Sequence, residues 1–314
     1  VNPVFDDRPR SGVVRPFDLV DPGFGEPVEL RVLPGTRSFL DVVVARIPGW
    51  RPLTVDVHVP ADGSGPFPVV VYAHGGAFIA GTPRMGPWGP LPGRGIAVVS
   101  VDYRLCGEAR YPEPVEDVLT AVRWVRAHGA GYGLDPARVA GWGSSAGAFL
   151  VGRAALTDGG PIGHPVPAPA GTDATLDAVV LHYPPVDFLA LLGHGPDDPR
   201  LDQWWTTTCD LFGVTRDGDL SPVRHGALPA AVARCRRVPP LLLAHGTADE
   251  VVPHVQSELL HDAVRAAGGH SELQLVDGAG HGAPVFGAPA VLDPAVRFLR
   301  RHWGDAASAT DRMQ

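Results

Sequence analysis

The chain has no lysine. All 26 of its cationic side chains are arginine, which excludes from these residues any chemistry that starts from a lysine amine: Schiff bases, pyridoxal phosphate, or a P-loop lysine on a nucleotide phosphate. Cysteine is almost as scarce. Cys106, Cys209 and Cys235 are odd in number and widely spaced, so neither a disulfide framework nor a C-x-x-C metal site can be drawn from them and they read as ordinary thiols. No stretch approaches the roughly 18 consecutive apolar residues of a membrane span. The opening VNPVFDDRPR has no cationic region leading into an apolar run, so a soluble cytoplasmic protein is expected, unless a signal peptide before Val1 has been removed. A basic stripe is missing too. The formal charge is −8 with dispersed acidic residues, which favours solubility and argues against nucleic acid as a partner.

What is present is ordinary globular composition, 45% apolar and 19% charged over 314 residues, enough for the core of one α/β domain with local insertions. The last ten residues, 305–314, are the exception and are expected to fray. Apolar runs bounded by Gly, Pro or Asp recur at 39–47, 54–59, 67–74, 96–103, 138–143, 178–183, 240–246 and 273–278. The first two alternate apolar with polar, as half-exposed antiparallel strands do; the later ones are nearly continuous, as strands covered on both faces are. Between them lie helical stripes at 111–129 (Val115, Val118, Leu119, Val122, Val125) and 255–269 (Leu259, Leu260, Val264). Strand and helix in repeated alternation predict a doubly wound, mostly parallel sheet with antiparallel strands at its start.

Two segments break the alternation. Residues 157–174 form a Gly/Pro-rich surface excursion, while 186–238 is too long for one crossover and carries Trp204, Trp205, Leu211 and Phe212. The second reads as a cap over the carboxyl edge of the sheet, the alternative being an extra helix pair packed away from any site.

The chemistry centres on GWGSSAGAF, residues 141–149. A nucleophile elbow exposes its serine on a sharp strand-to-helix turn, and the turn needs almost no side chain two residues before and two after. Ser145 has Gly143 and Gly147 there; Ser144 has Trp142 and Ala146. Ser145 is therefore the candidate nucleophile. Upstream, a strand ends in His74-Gly75-Gly76-Ala77, whose backbone N–H groups, with that of Ala146, can face an oxygen gaining negative charge. Serine also needs a base, and the base a carboxylate to hold its tautomer. His281 lies in a glycine-flanked loop after the last apolar run, and Asp249 directly follows the run at 240–246, with Glu250 and Asp277 as competitors for the acid. His254 and His245 are nearer Asp249 in sequence, but neither lies in a loop after the final strand.

VYAHGGAFIAGTP, VVSVDYRL, YPEPVEDVLTAVRWVRAHGAGYGLDPARVAGWGSSAGAFL, PPLLLAHGTADEVVPHVQSELL and VDGAGHG together span about 53–283. In these blocks the chain resembles the α/β-hydrolase serine esterases: the hormone-sensitive-lipase-like carboxylesterases and, closer, the bacterial feruloyl-esterase-like (BD-FAE-type) and arylformamidase-like branch. The resemblance implies an α/β-hydrolase fold with a cap insertion, Ser145 as nucleophile, Asp249 and His281 as its partners, and the N–H groups of Gly76, Ala77 and Ala146 as oxyanion hole. Ala77 and Ala148 stand where that group often has glycine, and both keep a backbone donor. The stretch 79–95 is too rich in Pro and Gly for a helix and is expected to form an irregular rim with Met85 and Trp88.

The expected activity is that of a serine carboxylester hydrolase acting through an acyl-enzyme on a small or aromatic ester, with no metal or organic cofactor. Rival readings are an amidase of the formamidase type or a biosynthetic acyl-transfer or cyclising enzyme on the same residues, and a non-catalytic ligand-binding relative. Phe78, Trp88, Trp204, Trp205 and Phe212 are candidates for an aromatic pocket. The expected partner is a small-molecule acyl substrate, with no nucleic acid and no membrane; apolar residues at the chain end and the cap are compatible with a homodimer.

Overall fold

The apolar runs pair edge to edge into one sheet. The structure, a computed structural model, describes residues 29–164, 172–193 and 201–304, so the tail at 305–314 lies outside the described residues, as do parts of the 157–174 excursion and of the 186–238 segment. Nine strands are present among the described residues: β1 Glu29–Leu30, β2 Thr36–Ala45, β3 Leu53–Pro60, β4 Phe67–Ala73, β5 Ala97–Val101, β6 Leu134–Ser144, β7 Val179–His182, β8 Leu241–Gly246 and β9 Ser271–Val276. Their order is β1-β2-β3-β5-β4-β6-β7-β8-β9. Pairing is antiparallel from β1 to β3 and between β3 and β5, then parallel across the rest. This is the α/β-hydrolase fold. The short β1 is exposed and has too few residues to show any periodicity.

Alternation along the strands sends side chains to two cores. On one face Val55, Val57, Val69, Val71, Val139, Val179 and Leu243 pack beneath α1 (Glu113–His128), α2 (Ala146–Ala155) and α7 (Val255–Ala266). On the other, Val70, Tyr72, Val98, Trp142 and Val180 pack against Leu292, Phe298 and Leu299 of α8 (Pro289–Trp303). Each fully buried aliphatic side chain contributes about 1.5–3 kcal/mol to this packing. Helix α1 starts where the sequence places it: Pro114 sits in its first turn with Glu113 and Glu116, and Arg126 and His128 occupy the last, each charge matched to the helix dipole. A left-handed Gly304, φ 74°, closes α8.

The described part of the 186–238 segment carries four helices joined by turns: α3 Phe188–Leu192, α4 Leu201–Phe212, α5 Ser221–Gly226 and α6 Leu228–Val232. Asp187 caps α3 by accepting from the N–H groups of Leu189 and Ala190. The segment divides in two. Helix α6 packs on α2 and α7 as part of the body, whereas α4 turns Gln203, Trp204 and Thr207 to a cleft at the carboxyl edge.

Candidate active site

Strand β6 ends at Ser144 and α2 begins at Ala146, so Ser145 makes the turn alone, with φ 52° and ψ −120°. That left-handed conformation is rare for a residue with a side chain and is held by its surroundings. The flanking glycines are required by space. A Cβ on Gly143 would lie 2.4 Å from the Gly147 carbonyl oxygen, and one on Gly147 would lie 2.1 Å from that of Ala73. Helix α2 thus presses against the ends of β4 and β6 at the position where Ser145 projects. Trp142 and Ser144 are buried on the sheet side, the latter accepting from Tyr72 Oη at 3.1 Å.

Two loops on the same edge bring the remaining candidates to Ser145. Asp249 follows β8 and His281 follows β9. His281 Nδ1 is 2.7 Å from Asp249 Oδ2, and its Nε2 is 2.9 Å from Ser145 Oγ. An ionised carboxylate only accepts, so Nδ1 carries the proton and Nε2 is left to accept from the Ser145 hydroxyl. The other carboxylate oxygen of Asp249 accepts from the N–H groups of Val251 at 2.9 Å and Val252 at 2.8 Å. The competing acids lie elsewhere: Glu250 is exposed, and Asp277 accepts from Thr247 Oγ1 at 3.2 Å. His254 stays at the surface, 3.8 Å from Glu258.

His245, set aside on sequence, proves to be a neighbour of the acid. It is fully buried at the end of β8. Its Nε2 lies 2.8 Å from the Val252 carbonyl oxygen and 3.3 Å from Asp249 Oδ2, and its Nδ1 lies 2.7 Å from Ser257 Oγ. The carbonyl fixes the tautomer: Nε2 donates, to Val252 and toward Asp249, while Nδ1 accepts from Ser257. A His-x-x-x-Asp spacing across a glycine turn was the available signal. Burial of Asp249 would push its pKa up, but hydrogen bonds from His245 and His281, the charge of His281 and the Val252 N–H outweigh it and hold the carboxyl well below the usual carboxylate range.

The loop after β4 faces Ser145 from the other side. Tyr103 stacks on His74 at 4.4 Å between ring centroids and donates to its carbonyl at 2.9 Å. Ala77 and Phe78 both adopt left-handed backbone, φ 53° and 65°, a conformation that costs alanine and phenylalanine energy which glycine would avoid. Among the described residues the N–H groups of Gly76, Ala77 and Ala146 donate to no backbone carbonyl, and all three residues border the cleft beside Ser145.

The cleft has a volume of about 660 Å³, within the usual range for a small-molecule site. Of the five aromatic candidates, Phe78 and Trp204 line it. Trp88 does not: it is 4% exposed and stacks on His58 at 4.5 Å, inside the core under α8. The irregular rim turns its indole inward and leaves Met85, Gly86 and Pro87 facing the cleft. Trp205 is also absent from the lining. Successive residues on a helix point about 100° apart, so where Trp204 faces the cleft, Trp205 lies under the Arg216 guanidinium, 5.6 Å away. Phe212 packs behind the wall against Phe149 and Phe188. No Asp, Glu or Arg lines the cleft among the described residues, and none of the described residues form a three-ligand metal cluster. No helix among them is long and apolar enough to cross a membrane.

The BD-FAE family model matches residues 55–264. Esterase LipC of Mycobacterium tuberculosis is 32% identical over 69% of this chain and 53% of its own length. A probable isoprenylcysteine alpha-carbonyl methylesterase, ICMEL1, of Oryza sativa is 30% identical over 72% of this chain and 53% of its own. The chain thus spans about half the length of these curated relatives. Among solved structures, a truncated carbohydrate esterase from gut microbiota superposes with TM-score 0.75 at 26% identity, covering 85% of this chain and 96% of that one. Propionate-bound Est2, an esterase of Thermogutta terrifontis, gives TM-score 0.68 at 25% identity over 88% and 97%.

Proposed function

Because the chain belongs to the BD-FAE family, we propose that it is a serine carboxylester hydrolase with Ser145 as nucleophile, His281 as general base and acid, and Asp249 as the carboxylate that orients the imidazole. The observation that carries this reading is the continuous chain of hydrogen bonds, 2.9 Å from Ser145 to His281 and 2.7 Å on to Asp249, ending on a serine in a left-handed turn. His281 Nε2 takes the hydroxyl proton as Ser145 Oγ bonds to the ester carbonyl carbon. Negative charge moves to the carbonyl oxygen, where the N–H groups of Gly76, Ala77 and Ala146 receive it, each worth about 10²- to 10³-fold in rate. The alcohol leaves with the proton from His281. Water, deprotonated by the same imidazole, then attacks the acyl-enzyme and regenerates Ser145.

Met85 and Val251, 48% and 46% exposed, stand at the mouth of the cleft. Water has access on that side, which favours hydrolysis over transfer to a second substrate. The uncharged, largely apolar lining suits a neutral ester of small or aromatic acids. The test is steady-state hydrolysis of p-nitrophenyl butyrate by the wild type and by Ser145→Ala with unchanged circular dichroism. A drop in kcat on the order of 10⁶-fold is expected; hydrolysis retained within about tenfold would remove Ser145 from the mechanism.

A further inference from the structure

Ser144 is the serine that the elbow does not use, and its surroundings are unusual for a cleft of this kind. Tyr72, one residue before the end of β4, donates to Ser144 Oγ at 3.1 Å. Tyr183, the residue after β7, borders the same part of the cleft as Ser144. The three side chains are 0%, 4% and 6% exposed for Tyr72, Ser144 and Tyr183, yet all three border the cleft beside Ser145. They place neutral hydroxyls in a lining that also includes the apolar Met85, Pro87, Ala283 and Phe286.

The cluster is held with some force. Tyr183 takes φ 40°, a costly conformation for an aromatic residue, with its ring edge-on to Phe286 at 4.6 Å and to His281 at 4.7 Å. The rim is moulded around Tyr72: a Cβ on Gly86 would lie 2.0 Å from the Tyr72 oxygen. Burial pushes the pKa of both phenols up, so they remain protonated donors across the pH range of ester hydrolysis.

Proton counting leaves donors over. Three hydroxyls carry three protons, and the hydrogen bond from Tyr72 to Ser144 uses one of them. The O–H groups of Ser144 and Tyr183 have no acceptor at hydrogen-bond distance among the described residues, and both residues border the cleft. Those protons can be satisfied from the cleft. An anionic acceptor is disfavoured because no Arg among the described residues lines the cleft to neutralise it. A neutral oxygen loses little on entering and gains a hydrogen bond that a methylene cannot make.

We propose that Tyr72, Ser144 and Tyr183 form a hydrogen-bonding subsite for a neutral oxygen (ether, hydroxyl or carbonyl) carried by the substrate beside the scissile ester. The substrates selected are then oxygenated esters, such as alkoxyacyl esters or esters of polyols, over hydrocarbon esters of the same length. This rests on Ser145 being the nucleophile.

Two matched substrate pairs test it, each exchanging one methylene for one oxygen. On the acyl side they are p-nitrophenyl butyrate and p-nitrophenyl methoxyacetate; on the alcohol side, butyl butyrate and 2-methoxyethyl butyrate, followed by pH-stat. The readout is the oxygen-to-methylene ratio of kcat/KM in the wild type, Ser144→Ala and Tyr183→Phe. Intrinsic reactivity and any general damage to catalysis cancel when that ratio is compared between enzymes. In at least one pair the ratio should fall about five- to tenfold in both variants, the worth of one neutral hydrogen bond, and the pair that responds tells whether the oxygen sits on the acyl or the alcohol side. Ratios unchanged in both pairs would overturn the proposal. If Ser144→Ala loses its circular dichroism signal, Tyr72→Phe takes its place. Failure of the underlying reading looks different: no substrate is turned over and a fluorophosphonate leaves Ser145 unlabelled, and the subsite then falls with it.

Discussion

At the carboxyl edge of the sheet, Ser145, His281, Asp249 and His245 are joined by contacts of 2.7 to 3.3 Å, and Ala77, Phe78, Ser145 and Tyr183 all hold left-handed backbone there. The walls of the cleft above that edge are different material. They draw on the rim, α4 and the loops after β4, β7 and β9, and present Phe78, Met85, Pro185, Trp204 and Phe286, with neutral hydroxyls and the Gln203 amide as the polar exceptions. At the edge each group has one admissible position, set by neighbours within bonding distance. In the walls what matters is volume and polarity, which several side chains can supply. Substitutions at the edge should therefore act as switches and those in the walls as adjustments.

The largest contrast comes from the acid. Asp249→Asn keeps the shape but forces the wrong tautomer on His281, so kcat for p-nitrophenyl butyrate should fall about 10⁴-fold with KM little changed; a loss below tenfold would break the distinction between edge and wall. Trp88→Ala tests the boundary of the wall. Being a core residue, it should cost about 3–5 kcal/mol in urea unfolding and leave kcat/KM of the folded enzyme within about twofold, whereas an altered substrate preference would return Trp88 to the cleft.

His245→Phe removes a donor to a charged acceptor and should lower kcat about 10- to 100-fold. It also has a pH signature. The depressed pKa of Asp249 means its stabilisation is complete above the unfolded carboxylate value of about 4 and drains away as pH falls toward the folded value. With one donor gone that pKa rises, so the stability gap between wild type and variant should be full above about pH 4 and close below it in acid titrations of unfolding. A gap that does not change across that window would assign His245 to packing alone. The smallest effect belongs to the wall: Trp204→Ala should raise KM for an aromatic ester about five- to tenfold, a loss of apolar contact, with kcat nearly constant.

The same contrast explains what could be read from the chain. The elbow was legible because Gly143 and Gly147 have no room for a Cβ, and a steric requirement that absolute leaves its mark on residue type. Asp249 and His281 were legible because each follows a strand, the buried β8 and the partly exposed β9, whose end fixes the edge of the sheet on which it emerges. The parallel order of β4 to β9 followed from continuous apolar runs. By contrast, Trp88 and Met85 share one irregular segment, and only its folded path decides that the indole stacks on His58 while Met85 meets the cleft. Trp204 and Trp205 differ by a single helical step, and no local pattern says which faces inward. His245 does not lie in a loop after the final strand, and its contact with Asp249 depends on the loop from 246 to 252 folding back over the strand. Tyr72 and Tyr183 each lie at the carboxyl end of a strand flanking β6, a coincidence visible only once the strand order is known.

Labelling with a fluorophosphonate followed by peptide mass spectrometry separates the two adjacent serines, which activity alone does not. The geometry predicts a single adduct on Ser145, lost in His281→Ala, with Ser144 unmodified. An adduct on Ser144, or a folded protein that takes up none, would contradict the account.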